Sequence, residues 1–184
     1  MLLDAQRSVL IVIDLQNKLV PAIDKGNQVV SNAGILLEGA RRLGVPVIVS
    51  EQYPTGLGST VDAILATLPN EAMTIAKLTF SAARSRNFSQ NLSALRTGGR
   101  DQMVVCGMET HVCVLQTAAD LLAEELPVFL VTDASGSRAE ANHRAAVERM
   151  AGFGAQCVTS EMVLFEWLEA AGNDDFKALS KLIK

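Results

Sequence analysis

The sequence predicts an α/β protein in which a parallel β-sheet is covered by helices on both faces. Three observations predict it. Six short apolar runs alternate with stretches of helical periodicity, the pattern of successive βαβ units. The runs are continuously apolar rather than alternating, as expected of strands buried on both sides. No repeat, low-complexity tract or Pro/Gly/Ser-rich linker divides the 184 residues, a length that suits one domain over 1–184 with a substantial core.

The first strand is VLIVI, residues 9–13. Over 29–43, Val30, Ala33, Leu36, Leu37 and Ala40 recur at helical spacing, and Gly44 follows as the glycine that ends a helix. PVIVS (46–50) is the second strand. A short helix over 60–68 and a short strand over 72–76 come next. Residues 85–96 are helical and stop before Gly98–Gly99. QMVVC (102–106) is a strand, and 110–125 a helix opened by Thr110. PVFLV (127–131) is a strand, and 139–150 a helix ending at Gly152. The last strand is 155–158. Ser160–Glu161 begins a helix over 160–170, and 174–184 is a terminal one.

Composition narrows the function classes. Apolar residues make up 49% and charged ones 20%, an ordered globule whose surplus hydrophobicity points to further buried surface such as a subunit interface. The formal net charge is −4, from 16 basic and 20 acidic residues, with no basic run, which argues against nucleic-acid binding. No apolar stretch reaches the roughly 18 residues of a membrane span. The start, MLLDAQRSVLIVID, has neither a charged leader nor a small-residue cleavage site, so no signal peptide is expected. Three cysteines without a C-x-x-C pair fit a reducing cytoplasm rather than a disulfide framework.

In open parallel sheets, ligands bind outside the carboxyl ends of the strands, so the residues that follow each run carry the chemistry. Asp14 follows strand one and either caps a loop or serves a site. Glu51, Gln52 and Tyr53 follow strand two. Lys77 follows strand three; its stem can lie on apolar surface with the ammonium in water, or the ammonium can face a site. Gly107, Met108, Glu109 and Thr110 follow strand four. With Thr110 as cap, Cys113 falls near the third helical position. Unpaired N–H groups and the helix dipole would there lower a thiol's pKa; packing is the other reading. Cys106 and Cys157 lie inside apolar strands and are read as packed. His111 sits on a different helical face from Cys113, and His143 lies in a charged helix and looks solvated. Neither suits a base for the thiol. No histidine pair has metal-ligand spacing, and no glycine-rich phosphate or dinucleotide motif occurs.

Together these residues resemble the isochorismatase-like cysteine hydrolase superfamily, which includes nicotinamidases and N-carbamoylsarcosine amidases. The resemblance is carried by VLIVIDLQN (9–17), PVIVSEQYPTGLGST (46–60), AKLTFSA (76–82), CGMETHVCVLQTAADLL (106–122), VFLVTDASGSR (128–138) and TSEMVLFEWLEAAG (159–172). EQYPTGLGST is most like the branch of isochorismatase domain-containing proteins. The resemblance implies a three-layer α/β/α sandwich around a six-stranded, mostly parallel Rossmann-like sheet. It implies a triad of Asp14, Lys77 and Cys113, and a cis peptide at Met108–Glu109 that aims the N–H groups of Glu109 and Cys113 at an oxyanion. Nicotinamidases carry an Asp-x-His metal pair after strand two. Glu51–Gln52–Tyr53 stands there instead, so no metal and no cofactor is expected.

The function expected is hydrolysis of a small amide through a Cys113 thioester, Asp14 acting as base. Gln16, Tyr53 and Phe80 are candidate pocket residues, and a homo-oligomer, a dimer or larger, is expected. Three rivals stay open: an isochorismate-type vinyl-ether hydrolase using Asp14 as acid, a non-catalytic oligomeric binding protein, and a generic domain whose Asp, Lys and Cys never meet.

Overall fold

The computed structural model describes residues 1–183. Six strands form one all-parallel sheet: β1 (Ser8–Ile13), β2 (Val47–Gln52), β3 (Met73–Lys77), β4 (Gln102–Met108), β5 (Val128–Gly136) and β6 (Gln156–Val158). Their order is β3-β2-β1-β4-β5-β6, so the direction of winding reverses at β1, between β2 and β4. Strand alternation divides the core in two. Leu10, Val12, Val47, Val49, Val104 and Phe129 face α1 (Gly26–Leu43) and α7 (Ser160–Leu168). Val9, Ile11, Ile13, Ile48, Ile75 and Val105 face α4 (Arg86–Thr97), α5 (Leu115–Ala123) and α6 (Glu140–Gly152). The remaining helices are the short α2 (Pro54–Leu57), α3 (Asp62–Leu65) and α8 (Asp174–Leu179).

The expected alternation holds throughout, and Gly44 ends α1 in the left-handed conformation at φ 67°. The differences sit at element ends. β2 and β4 each run two residues past their apolar runs, because the ladder continues through polar and glycine positions: Gln52 pairs with Lys77, and Gly107 with Ser135. β5 extends to Gly136 with an irregular register against β4. The expected helix over 60–68 shrinks to α3, because Thr60 bridges to Gln16 instead. Residues 110–125 open as a π turn, Thr110–Val114, before α5, and Thr110 caps nothing with its hydroxyl. Cys157 is exposed: β6 is an edge strand and the side chain lies on its outer face. Asp133 belongs to the opposite layer, where its carboxylate accepts from the N–H and hydroxyl of Ser160 at the start of α7. The terminal helix stops at Leu179; the end expected at Lys184 lies outside the described residues.

Candidate active site

Asp14 is the first residue beyond β1, and strict alternation would send it to the face of Leu10 and Val12. Its backbone is left-handed instead, at φ 52°. Aspartate tolerates this conformation better than most residues. The carboxylate is thereby turned to the layer of Ile48 and Ile75. There Ser50 donates its hydroxyl to Oδ1 at 2.7 Å and Lys77 donates to Oδ2 at 2.8 Å. Both side chains of the ion pair are 0% exposed.

Lys77 reaches that point because β3 buries alternate residues. Ile75 and Lys77 face inward, so the ammonium emerges under the sheet edge rather than in water. Its three N–H groups are all engaged: by Asp14, by Gln52 Oε1 at 2.7 Å and by the Phe80 carbonyl at 3.1 Å. An ammonium has three donors, so none is left over.

Cys113 closes the cluster from the π turn after β4. π turns recur at functional sites because they displace one side chain from helical register. The sulfur lies 4.0 Å from Gln52 Oε1, and Asp14 and Lys77 are the charged groups that act on it. Burial pushes the thiol up to about 12; the Asp14 carboxylate pushes the same way, and Lys77 opposes them. The sequence expectation of a lowered thiol pKa is thus corrected. Desolvation and the nearby Asp14 carboxylate both disfavour the thiolate. Behind the sulfur, Thr117 donates to the Cys113 carbonyl at 2.7 Å and accepts from the Ala82 N–H at 2.9 Å, tying α5 to the loop after β3. Gly107, just before the turn, has φ 121°, and a Cβ there would fall 2.0 Å from the Ile13 carbonyl oxygen. Only glycine lets β4 pass β1 so closely. The Met108–Glu109 peptide is cis.

The other sequence candidates are placed differently. Gln16 is fully buried and its amide is fully used. It accepts from the Gln52 N–H at 2.8 Å and donates to the carbonyls of Gln52 and Gly58 at 2.9 and 2.6 Å. It fastens the 53–60 loop to the sheet. Tyr53 and Phe80 touch the cluster through their backbones: the Tyr53 N–H donates to the Lys77 carbonyl, and the Phe80 carbonyl accepts from the ammonium. Their rings, with Leu78, project outward, 53%, 55% and 76% exposed. Glu51 accepts from the N–H and hydroxyl of Thr60. His143 is not solvated as expected: it is half-buried, 3.0 Å from the Thr110 hydroxyl, and burial pushes its pKa down. His111 lies 3.0 Å from the Ser137 hydroxyl. The sequence reading missed Ser50 and Gln52. Ser50 left a faint signal, as a polar residue ending a run otherwise buried. A cleft of about 590 Å³ opens between Val45, Pro46, Leu68 and Met73, at the amino ends of β2 and β3 and so away from this cluster.

A parallel sheet of this order, covered by helices on both faces, defines a doubly wound, Rossmann-like α/β domain. The chain belongs to the isochorismatase domain family, whose model matches residues 8–162, and so to the isochorismatase-like hydrolase superfamily. Isochorismatase domain-containing protein 1 of Danio rerio is 38% identical over 179 residues, covering 96% of this chain and 61% of that relative; the chain thus spans less than two thirds of that relative's length. The solved structure of MAR1 ribonuclease from Caenorhabditis elegans superposes with TM-score 0.92 at 33% identity, over 100% of this chain and 92% of that one. The YcaC gene product of Escherichia coli, an octameric hydrolase of unknown specificity, gives TM-score 0.90 at 28% identity, over 100% and 89%. Among the described residues, no helix is long and apolar enough to cross a membrane.

Proposed function

We propose that the chain is a cysteine hydrolase that cleaves the C–N bond of a small amide through a thioester on Cys113. One observation carries this reading: an acid, an ammonium and a thiol from the end of β1, from β3 and from the turn after β4 converge at the carboxyl edge, Lys77 Nζ standing 2.8 Å from Asp14 and 2.7 Å from Gln52 Oε1, which lies 4.0 Å from the Cys113 sulfur. Because the resting thiol is neutral, a base must act as attack begins, and no histidine is bonded to the sulfur. Asp14 takes the S–H proton while Sγ bonds to the carbonyl carbon. The oxyanion is received by the N–H groups of Glu109 and Cys113 at the turn. Its collapse breaks the C–N bond, and the leaving amine takes the proton from Asp14. Water then attacks the thioester, giving a proton to Asp14; the C–S bond breaks, and the proton returns to sulfur with release of the acid. Lys77 keeps Asp14 in place and offsets its charge.

The family name favours a second reading, vinyl-ether hydrolysis with Asp14 as acid and no covalent step. The test is a screen of neutral amides and isochorismate with the purified chain and with Cys113→Ala. Amide turnover that vanishes in Cys113→Ala, with an acyl adduct on Cys113 by mass spectrometry, supports the thioester route. Turnover that survives sinks it. The ribonuclease activity in the name of the nematode protein has little electrostatic support, with a net charge of −4 and Arg84 and Arg138 paired to Asp120 and Glu109. A homo-oligomer is proposed from the exposed Tyr53, Leu78 and Phe80 beside the site and from the octameric neighbour. A cytoplasmic setting is proposed from three free cysteines.

A further inference from the structure

Gln52 is held from every side. Gln16 clasps its backbone N–H and carbonyl, and its own Nε2 donates to the Leu78 carbonyl at 2.9 Å. A flipped amide would aim its NH2 at the Lys77 ammonium and its oxygen at the Leu78 carbonyl, so the orientation is fixed by the network. The oxygen therefore stands permanently between two groups, 2.7 Å from Lys77 Nζ and 4.0 Å from Cys113 Sγ. Gln52 and Lys77 are also register partners in the β2–β3 ladder, which fixes their spacing through the backbone.

We infer that Gln52 is a positioning residue for the Cys113 proton: its carbonyl oxygen occupies a Lys77 donor that would otherwise reach the sulfur, and offers the S–H group an acceptor in the resting site. This deepens the hydrolase reading and rests on Cys113 being the reactive thiol. The residue keeps the nucleophile uncharged until substrate arrives, so that the proton passes to Asp14 only when sulfur bonds to carbon. The ionisable groups facing the sulfur are Asp14 from β1 and Lys77 from β3. On its own turn, His111 is turned to Ser137 and Glu109 to Arg138. From α6 His143 is turned to Thr110, and Arg84, before α4, to Asp120.

The test is the pH dependence of Cys113 alkylation by iodoacetamide, read by peptide mass spectrometry in the full chain. In Gln52→Met the freed Lys77 donor reaches the sulfur, so the midpoint moves down by at least one pH unit, about a tenfold gain in rate at neutral pH. In Gln52→Glu a second carboxylate faces the sulfur, and the midpoint moves up. Adding Lys77→Met to Gln52→Met should cancel the gain. Unchanged midpoints in folded variants overturn the inference; if Gln52→Met does not fold, the isosteric Gln52→Glu decides alone. A chain that shows both opposite shifts but cleaves no amide refutes the hydrolase reading and leaves this one standing. Amide turnover through Cys113 with unshifted midpoints does the reverse.

Discussion

At Asp14 a single backbone angle decides what the carboxylate meets. With φ at 52° the group leaves the face of Val12 and joins Ser50 and Lys77. Two substitutions test the roles that follow. Asp14→Asn should lower amide turnover by about 10²–10⁴-fold, the usual worth of a proton-transfer group. The same change should speed alkylation of the resting thiol, because one of the two influences that raise it has gone. Opposite signs in the two assays separate a proton carrier from a mere support. Lys77→Met leaves a buried carboxylate without its cation and should cost about 3–5 kcal/mol of stability, read by urea unfolding. Asp14 and Lys77 could be picked out in the sequence as candidates because each stands just beyond an apolar run, and Cys113 because it lies in the first turn of the helical stretch after one; their grouping as a triad came from the family resemblance. Gln52 was not: a neutral amide between Glu51 and Tyr53 looks like loop, and its meaning lies in hydrogen bonds to residues 16, 77 and 78. The direction of the thiol's pKa was also misread, since its burial and the nearness of the Asp14 charge appear only once the chain is folded.

Among elements, the site depends on two joints. β4 slides past β1 at Gly107, where Gly107→Ala would set a methyl against the Ile13 carbonyl in a conformation alanine resists. Strain of this kind costs about 1–3 kcal/mol before the clash is counted, so the variant should show a lower urea midpoint or fail to accumulate as folded protein. Thr117→Val removes the hydroxyl that joins the Cys113 carbonyl to the Ala82 N–H. The stranded buried N–H should cost about 1–3 kcal/mol. All six strands were legible from their apolar runs, but their carboxyl ends were not. Hydrophobicity stops at Ser50 and Cys106, whereas backbone pairing continues to Gln52 and Met108. Gln52 and Lys77 occupy that surplus of pairing over hydrophobicity.

For the whole molecule, two buried thiols set an alkaline limit. Cys106 and Cys113 are each pushed up to about 12 from an ordinary 9.0, by burial first. Between these values the unfolded chain releases thiol protons that the folded chain retains. The unfolded state then binds fewer protons, so stability falls as pH rises through this window, and the thiols add no slope below it. The slope should approach about 1.4 kcal/mol per pH unit for each thiol. Urea titrations across that range check it, and Cys106→Ala should remove about half the slope. Light scattering should give a particle mass that is a multiple of the 19.6 kDa chain. A monomer at working concentration would remove the proposed cover for Tyr53, Leu78 and Phe80.

β3 is the outermost strand on its side of the sheet, paired with a neighbour along one flank only. The ammonium is therefore mounted on the part of the sheet most prone to fray, while Asp14 and Cys113 hang from its centre. Transient peeling of that margin would disarm the chemistry while the rest of the molecule stayed intact. Warming should accordingly silence the proposed amide turnover at a temperature short of global melting, and amide protons of residues 73–77 should exchange with deuterium sooner than those of β1 and β4.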